Sequence, residues 1–173
     1  MLLALFLSSG CERTIEERCA SAEVRACCLL SSAEAEAVLG ASVGAPRAAR
    51  GDGYSSCEYR VEDGRFAELL VFDSEPGATV EAARLRQRLE RGRLRQVRPM
   101  PIPNFTGAEG FWVEDLPFPD SRAPAFWVAA GPDFFRVAAT PLGDGWPDWK
   151  RPRDLARSVL RNLESASRSA NSR

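Results

Sequence analysis

A chain of 173 residues with a formal net charge of −1 suits a single domain and carries no global pull toward nucleic acid or a membrane surface. It contains no histidine, which removes imidazole acid–base catalysis, the usual Ser-His and Cys-His nucleophile pairs, and imidazole metal ligation. Lys150 is its only lysine, an arginine bias that reads as genomic base composition rather than function.

Residues 1–10 are a short apolar run ending in small residues before Cys11, too short to span a bilayer. The run resembles the tail of a bacterial lipoprotein signal peptide, whose cysteine is lipidated and becomes the mature N-terminus. The competing reading is a buried N-terminus of a cytoplasmic protein. Cysteine parity favours export: lipidating Cys11 leaves Cys19, Cys27, Cys28 and Cys57, an even set suited to disulfides. No Cys-x-x-Cys spacing occurs, which argues against a zinc site. Residues 11–26 are polar and alanine-rich, a tether with some helical character.

The next stretch reads as a capped helix, a connection and a strand. Ser31 with Glu34 three residues on is a capping box; Ala35, Val38 and Leu39 form one apolar face, and Gly40 supplies the stop. Residues 54–61 alternate, with Cys57, Tyr59 and Val61 on one side and Glu58 and Arg60 on the other, as in a half-buried strand. Within this stretch Cys27-x-Leu29-Leu30, Ala33-Glu34, Val38-Leu39-Gly40 and Cys57-x-Tyr59 resemble small bacterial envelope lipoproteins of uncharacterised families. The resemblance covers residues 11–164 and is tight over 27–59. It implies a compact α+β domain similar to the PsbP-like sandwich, one helix–strand disulfide and no catalytic activity. In register with that family pattern Cys27 pairs with Cys57, which leaves Cys19 with Cys28. Because Cys28 sits beside the expected cysteine, a Cys28–Cys57 bridge stays open as the alternative.

Asp63-Gly64 predicts a two-residue hairpin turn, with Val61 opposite Phe66, Tyr59 opposite Glu68 and Cys57 opposite Leu70. That register collects Cys57, Tyr59, Val61, Phe66, Leu70 and Phe72 on a core face, with Glu68 its polar member, either a strand-edge residue or a partner for an arginine. A second helix is expected over 80–91, capped by Thr79, with Val80, Ala83, Leu85 and Leu89 inward and Gly92 closing it. Around it lie Arg84, Arg86, Arg88, Arg91, Arg93, Arg95 and Arg98, opposed by only Glu81 and Glu90. One reading is an anion-binding face for lipid head groups, an envelope polymer or an acidic partner; the other is a solvated helix face. Aromatics do not interleave with these arginines, so a nucleic-acid platform is not indicated.

Pro99 to Pro103 reads as an extended connector. Gly107-Ala-Glu-Gly-Phe-Trp-Val resembles the start of a central strand in the same lipoproteins. Further strands are expected over 125–130 and 134–140, joined through Gly131-Pro132-Asp133. The loop carrying Trp146 and Trp149 is either a contact surface or a pair of rings lying on the sheet and covering its edge. Asp154 is the expected cap of a last helix with Leu155, Val159, Leu160 and Leu163 inward, and the tail over 165–173 reads as disordered.

The predicted fold class is therefore α+β: a single twisted antiparallel sheet flanked by helices, in the order α-β-β-α-β-β-β-α, with one domain over 27–164. Three functional classes compete. The first is a non-catalytic, lipid-anchored cell-envelope protein, held at the membrane by its anchor and binding another protein or an envelope component. The second is a carrier of a lipid or small apolar ligand, which needs a large apolar cavity. The third is an enzyme using carboxylates or a thiol; Glu68, Glu109, Glu114 and Asp115 are present, but no spacing marks a catalytic pair. No catalytic residue, metal ligand or cofactor motif is assigned, and no nucleic-acid partner.

Overall fold

The structure is a computed structural model, and it describes residues 25–51, 53–72, 97–113, 124–139 and 149–171. Among the described residues two short helices precede the strands, α1 over Arg25–Leu29 and α2 over Ser32–Leu39. Seven strands follow: β1 Arg47–Gly51, β2 Tyr54–Arg60, β3 Phe66–Phe72, β4 Val97–Met100, β5 Ala108–Val113, β6 Ala125–Ala130 and β7 Asp133–Ala139. The last element is α3, Lys150–Asn171. The strands form one sheet in the order β1-β2-β3-β7-β6-β5-β4, antiparallel at every pairing. Two meanders meet at β3 and β7, so β7 is the middle strand and β5 lies next to the edge. The expected fold class holds: an antiparallel sheet with helices packed against it.

Register divides the sheet into two faces. One carries Ser55, Cys57 and Tyr59 on β2, facing Val71, Leu69 and Ala67 on β3, which in turn face Phe135, Val137 and Ala139 on β7. Phe126, Val128 and Trp112 continue it across β6 and β5. This face packs with Leu29, Leu30, Leu39, Leu155, Val159, Leu160 and Leu163 into one buried core, so the helices lie on this side. On the opposite face Phe111, Val113, Phe134 and Ala138 are buried outside that core cluster. There Phe72, Trp127 and Phe134 bring their rings together, with centroids 5.2–6.3 Å apart.

The β2–β3 register corrects the sequence reading by one residue. Cys57 faces Leu69 rather than Leu70, and Tyr59 faces Ala67 rather than Glu68. The cause is the turn: the Gly64 N–H donates to the Val61 carbonyl at 3.0 Å, and Val61 and Arg65 then pair through Val61 N–H to Arg65 O at 2.9 Å. This is a three-residue loop with Gly64 at φ 89°, the left-handed position that forms a bulge, and not the two-residue turn that Asp63-Gly64 suggests. A one-residue shift moves every side chain of β3 to the other face. Phe66, Leu70 and Phe72 therefore leave the expected core face, and Ala67, Leu69 and Val71 occupy it. Glu68 goes with the first group and binds the Arg136 guanidinium at 2.8 Å, the second of its two expected roles.

Two strands were not anticipated. β1 is Arg-Ala-Ala-Arg-Gly, with no β-branched or aromatic residue; its pairing comes from the backbone of β2, not from its own propensity. β4 falls on the expected Pro99–Pro103 connector, and Pro99 is tolerated because β4 is an edge strand. The other hairpin agrees with expectation: Gly131 and Pro132 link β6 to β7, with Ala130 facing Asp133. α3 is longer than expected at both ends. It starts at Lys150, the Arg153 N–H donating to the Trp149 carbonyl at 3.2 Å, so Asp154 lies inside the helix rather than capping it. Pro152 fits because first-turn residues need no intrahelical amide donor. The helix also runs on through Asn171, past the expected boundary at 165. The expected helix over 80–91 lies outside the described residues.

Candidate functional site: the helical corner and the groove beside α3

The α1–α2 corner is tied to the sheet and to α3 by a disulfide and several hydrogen bonds. α2 has the expected capping box: Ser31 Oγ accepts from the Glu34 amide at 3.3 Å, and Glu34 Oε2 accepts from the Ser31 amide at 2.9 Å. Gly40 ends the helix, its N–H donating to the Glu36 carbonyl at 2.7 Å. Below the corner, Cys27 and Cys57 form a disulfide, both buried, with Cα atoms 4.9 Å apart. Closing a loop of sequence separation 30 is worth about 3.7 kcal/mol in the chain-entropy model. Around it Ser55 Oγ accepts from the Ala26 amide at 3.1 Å, and the Tyr59 hydroxyl donates to the Leu30 carbonyl at 2.9 Å. Burial, with a smaller contribution from the Glu34 charge, pushes the Tyr59 phenol above its ordinary pKa.

Three side chains satisfy the carbonyls that end the two helices. Asn162 of α3 donates to the Leu29 carbonyl at 3.1 Å and to Glu34 Oε1 at 3.0 Å. Arg151 donates to the Val38 carbonyl at 2.7 Å, and Arg65 to the Leu39 carbonyl. Helix ends leave carbonyls unpaired and partly negative, so cationic donors there satisfy both needs.

Between α2 and α3 runs an open groove of about 970 Å³. Ala33, Ala37, Val38 and Phe105 supply its apolar surface, while α3 presents Asp154, Arg157, Arg161 and Glu164 along one side. Spacings of three, four and three residues place those four side chains on one helical face. Arg157 reaches Asp154 only at 3.7 Å, and its buried Nε has no hydrogen-bond partner among the described residues. Arg161 donates to the Ser158 hydroxyl at 2.8 Å, and no described carboxylate pairs with it. The Glu34 carboxylate also lines the groove, but it is engaged by Ser31 and Asn162. Asn104, at the groove's loop wall, holds the left-handed conformation at φ 71°.

Of the site residues expected from sequence, the structure brings Cys27 and Cys57 together. Cys28 is exposed and also disulfide-bonded. Cys11 and Cys19 lie outside the described residues, as do Arg84, Arg86, Arg88, Arg91, Arg93 and Arg95; Arg98 sits in β4, opposite Trp112. Trp149 packs against the core and lies under the Arg153 guanidinium, 4.6 Å from the ring centroid, while Trp146 lies outside the described residues. The groove arginines were missed. Arg157 and Arg161 stand four apart on the polar side of an amphipathic helix, a signal present in the sequence but shared with any solvated helix face. Among the described residues no cluster of three or more His, Cys, Asp or Glu side chains is placed to hold a metal ion. No protein-family model, no curated protein and no solved structure matches this chain.

Proposed function

We propose that this chain is a non-catalytic, lipid-anchored protein of the cell envelope that binds another protein or an envelope component. The observation that carries the reading is the buried Cys27–Cys57 disulfide beside a further disulfide cysteine, Cys28. Such bonds persist in oxidising compartments and are rare in a reducing cytosol. Cys11 after an apolar run supplies the attachment, and the family resemblance over residues 27–59 points the same way. A carrier of an apolar ligand would need room between sheet and helices. Among the described residues that layer is filled by Leu29, Leu30, Leu39, Leu69, Phe135, Leu155 and Val159, and the α2–α3 groove is open and edged by charge.

Intact mass of the membrane-purified protein tests this directly. Processing should remove residues 1–10 and add several acyl chains at Cys11, more than the two signals stable attachment requires. Cys11→Ser should abolish acylation and either release the protein or stall its processing. A Cys11→Ser protein that still fractionates with the membrane at full-length mass overturns the proposal.

A further inference from the structure

We infer that the groove between α2 and α3 docks an extended acidic segment of a partner protein, its carboxylates held by Arg157 and Arg161. This rests on the reading of the chain as a binding protein and names the surface and the chemistry of its partner.

The argument starts from spacing. A helix rises about 1.5 Å per residue, so Arg157 and Arg161 stand roughly 6 Å apart along α3. In an extended peptide, residues i and i+2 point to one side and lie about 6.6 Å apart. Two carboxylates in an acidic-x-acidic arrangement therefore meet the two guanidinium groups in register. Beyond the arginines stand Asp154 on one side and Glu164 on the other, with Arg151 past Asp154 turned to the Val38 carbonyl, so residues 154–164 read minus, plus, plus, minus along the groove. Its complement is an acidic pair flanked by basic residues. A lipid head group, with one compact anionic centre, has no use for the two outer carboxylates; an extended peptide of about seven residues presents four side chains to one side and reaches all four charges.

The arginines are also free to take such a ligand. Among the described residues Arg161 donates to the Ser158 hydroxyl and meets no carboxylate, and Arg157, its side chain 38% exposed, stands 3.7 Å from Asp154. Adjacent like charges at i and i+4 disfavour each other on a helix, and a bridging anion removes that repulsion. Guanidinium groups bind carboxylates in a two-pronged, charge-assisted geometry that a lysine cannot reproduce. Across the groove, Ala33 and Ala37 leave α2 with short side chains, so a peptide backbone can approach it closely. Glu34 is held by Ser31 and Asn162, away from competition for the arginines.

The test uses the full chain purified in a neutral detergent and a fluorescent heptapeptide, Lys-Ser-Asp-Ser-Asp-Ser-Lys, whose lysines lie on the same side as its aspartates. Fluorescence anisotropy should show saturable binding that falls with salt, and none to the matching Asn-Ser-Asn peptide. R157Q/R161Q should weaken binding at least roughly tenfold, as expected for loss of charge-assisted hydrogen bonds. R47Q/R50Q, on the edge strand β1, should leave it unchanged. D154N/E164Q should keep the affinity for the Asp-Ser-Asp core while removing the advantage of the lysines, which tests the groove without touching the arginines. No saturable binding, or equal binding by wild type and R157Q/R161Q, overturns the inference. So does binding to phosphatidylglycerol vesicles in preference to the peptide, lost in R157Q/R161Q, which assigns the groove to lipid instead. The outcome is independent of acylation: a chain lipidated at Cys11 that ignores the peptide fails here and leaves the proposed anchoring intact.

Discussion

The β2–β3 and β6–β7 hairpins both turn on a glycine with positive φ, 89° at Gly64 and 57° at Gly131, yet the two glycines hold different places in their loops. Gly131 opens a two-residue loop that Pro132 completes. Gly64 closes a three-residue loop of Glu62, Asp63 and Gly64. A two-residue Asp-Gly turn needs positive φ at both positions, and Asp63 does not have it. Asp-Gly is thus an ambiguous signal, because the same pair serves the last two places of a bulged loop. The core decides between the two. In the two-residue register Glu68 would face Tyr59 on the helix-covered side of the sheet, and burying its carboxylate there without a partner would cost several kcal/mol. In the observed register Ala67, Leu69 and Val71 take those places, and Glu68 finds Arg136 on the other face.

The largest expected effect separates the two registers directly. Leu69 is fully buried on the helix side, and Leu69→Ala should destabilise the protein by about 2–5 kcal/mol in denaturant unfolding. Leu70, half-buried on the opposite face, should cost roughly 1–2 kcal/mol on the same substitution. The reverse ranking would favour the two-residue turn. Next in size are the turn glycines themselves. Gly64→Ala and Gly131→Ala should each cost about 1–2 kcal/mol, since a Cβ is strained in the left-handed region. Gly64→Asn should recover much of the loss, because asparagine tolerates that conformation. A Gly64→Ala protein as stable as wild type would contradict the bulged loop.

The smallest effect is electrostatic and belongs to the β2–β3 turn alone. Asp63 accepts from the Arg65 amide at 3.0 Å and from its guanidinium at 2.7 Å, and these bonds hold its carboxyl below the ordinary aspartate range. A carboxyl whose pKa is lower folded than unfolded stabilises the fold above the unfolded value, and that contribution is lost as pH falls through the folded one. Carboxyl NMR should find Asp63 titrating at lower pH than an ordinary aspartate, and Arg65→Gln should move it back upward. An Asp63 unaffected by Arg65→Gln would remove this contact from the account of the turn.

The sequence by itself determined what local chemistry controls. The Ser31–Glu34 capping box and the Gly40 stop lie within a few residues of the groups they satisfy, so α2 was legible at both ends. The Gly131-Pro132 turn was legible because proline cannot take positive φ, which leaves that conformation to the glycine alone. Leu155, Val159, Leu160 and Leu163 marked the inner face of α3 by helical spacing. The Cys27–Cys57 bridge came from a resemblance, and the fold places both cysteines in the core.

Tertiary structure decided what depends on distant partners. β1 has no strand propensity, and it is a strand because β2 offers it a backbone to pair with. β4 carries a proline, which only an edge position permits. The β2–β3 register was set by which side of β3 the helices bury, information held in residues tens of positions away. The groove exists because Asn162 and Arg151 of α3 reach the carbonyls ending α1 and α2 and so fix the two walls. A sequence records which side chains are charged or apolar; whether two charges share a groove depends on how helices far apart in the chain are packed.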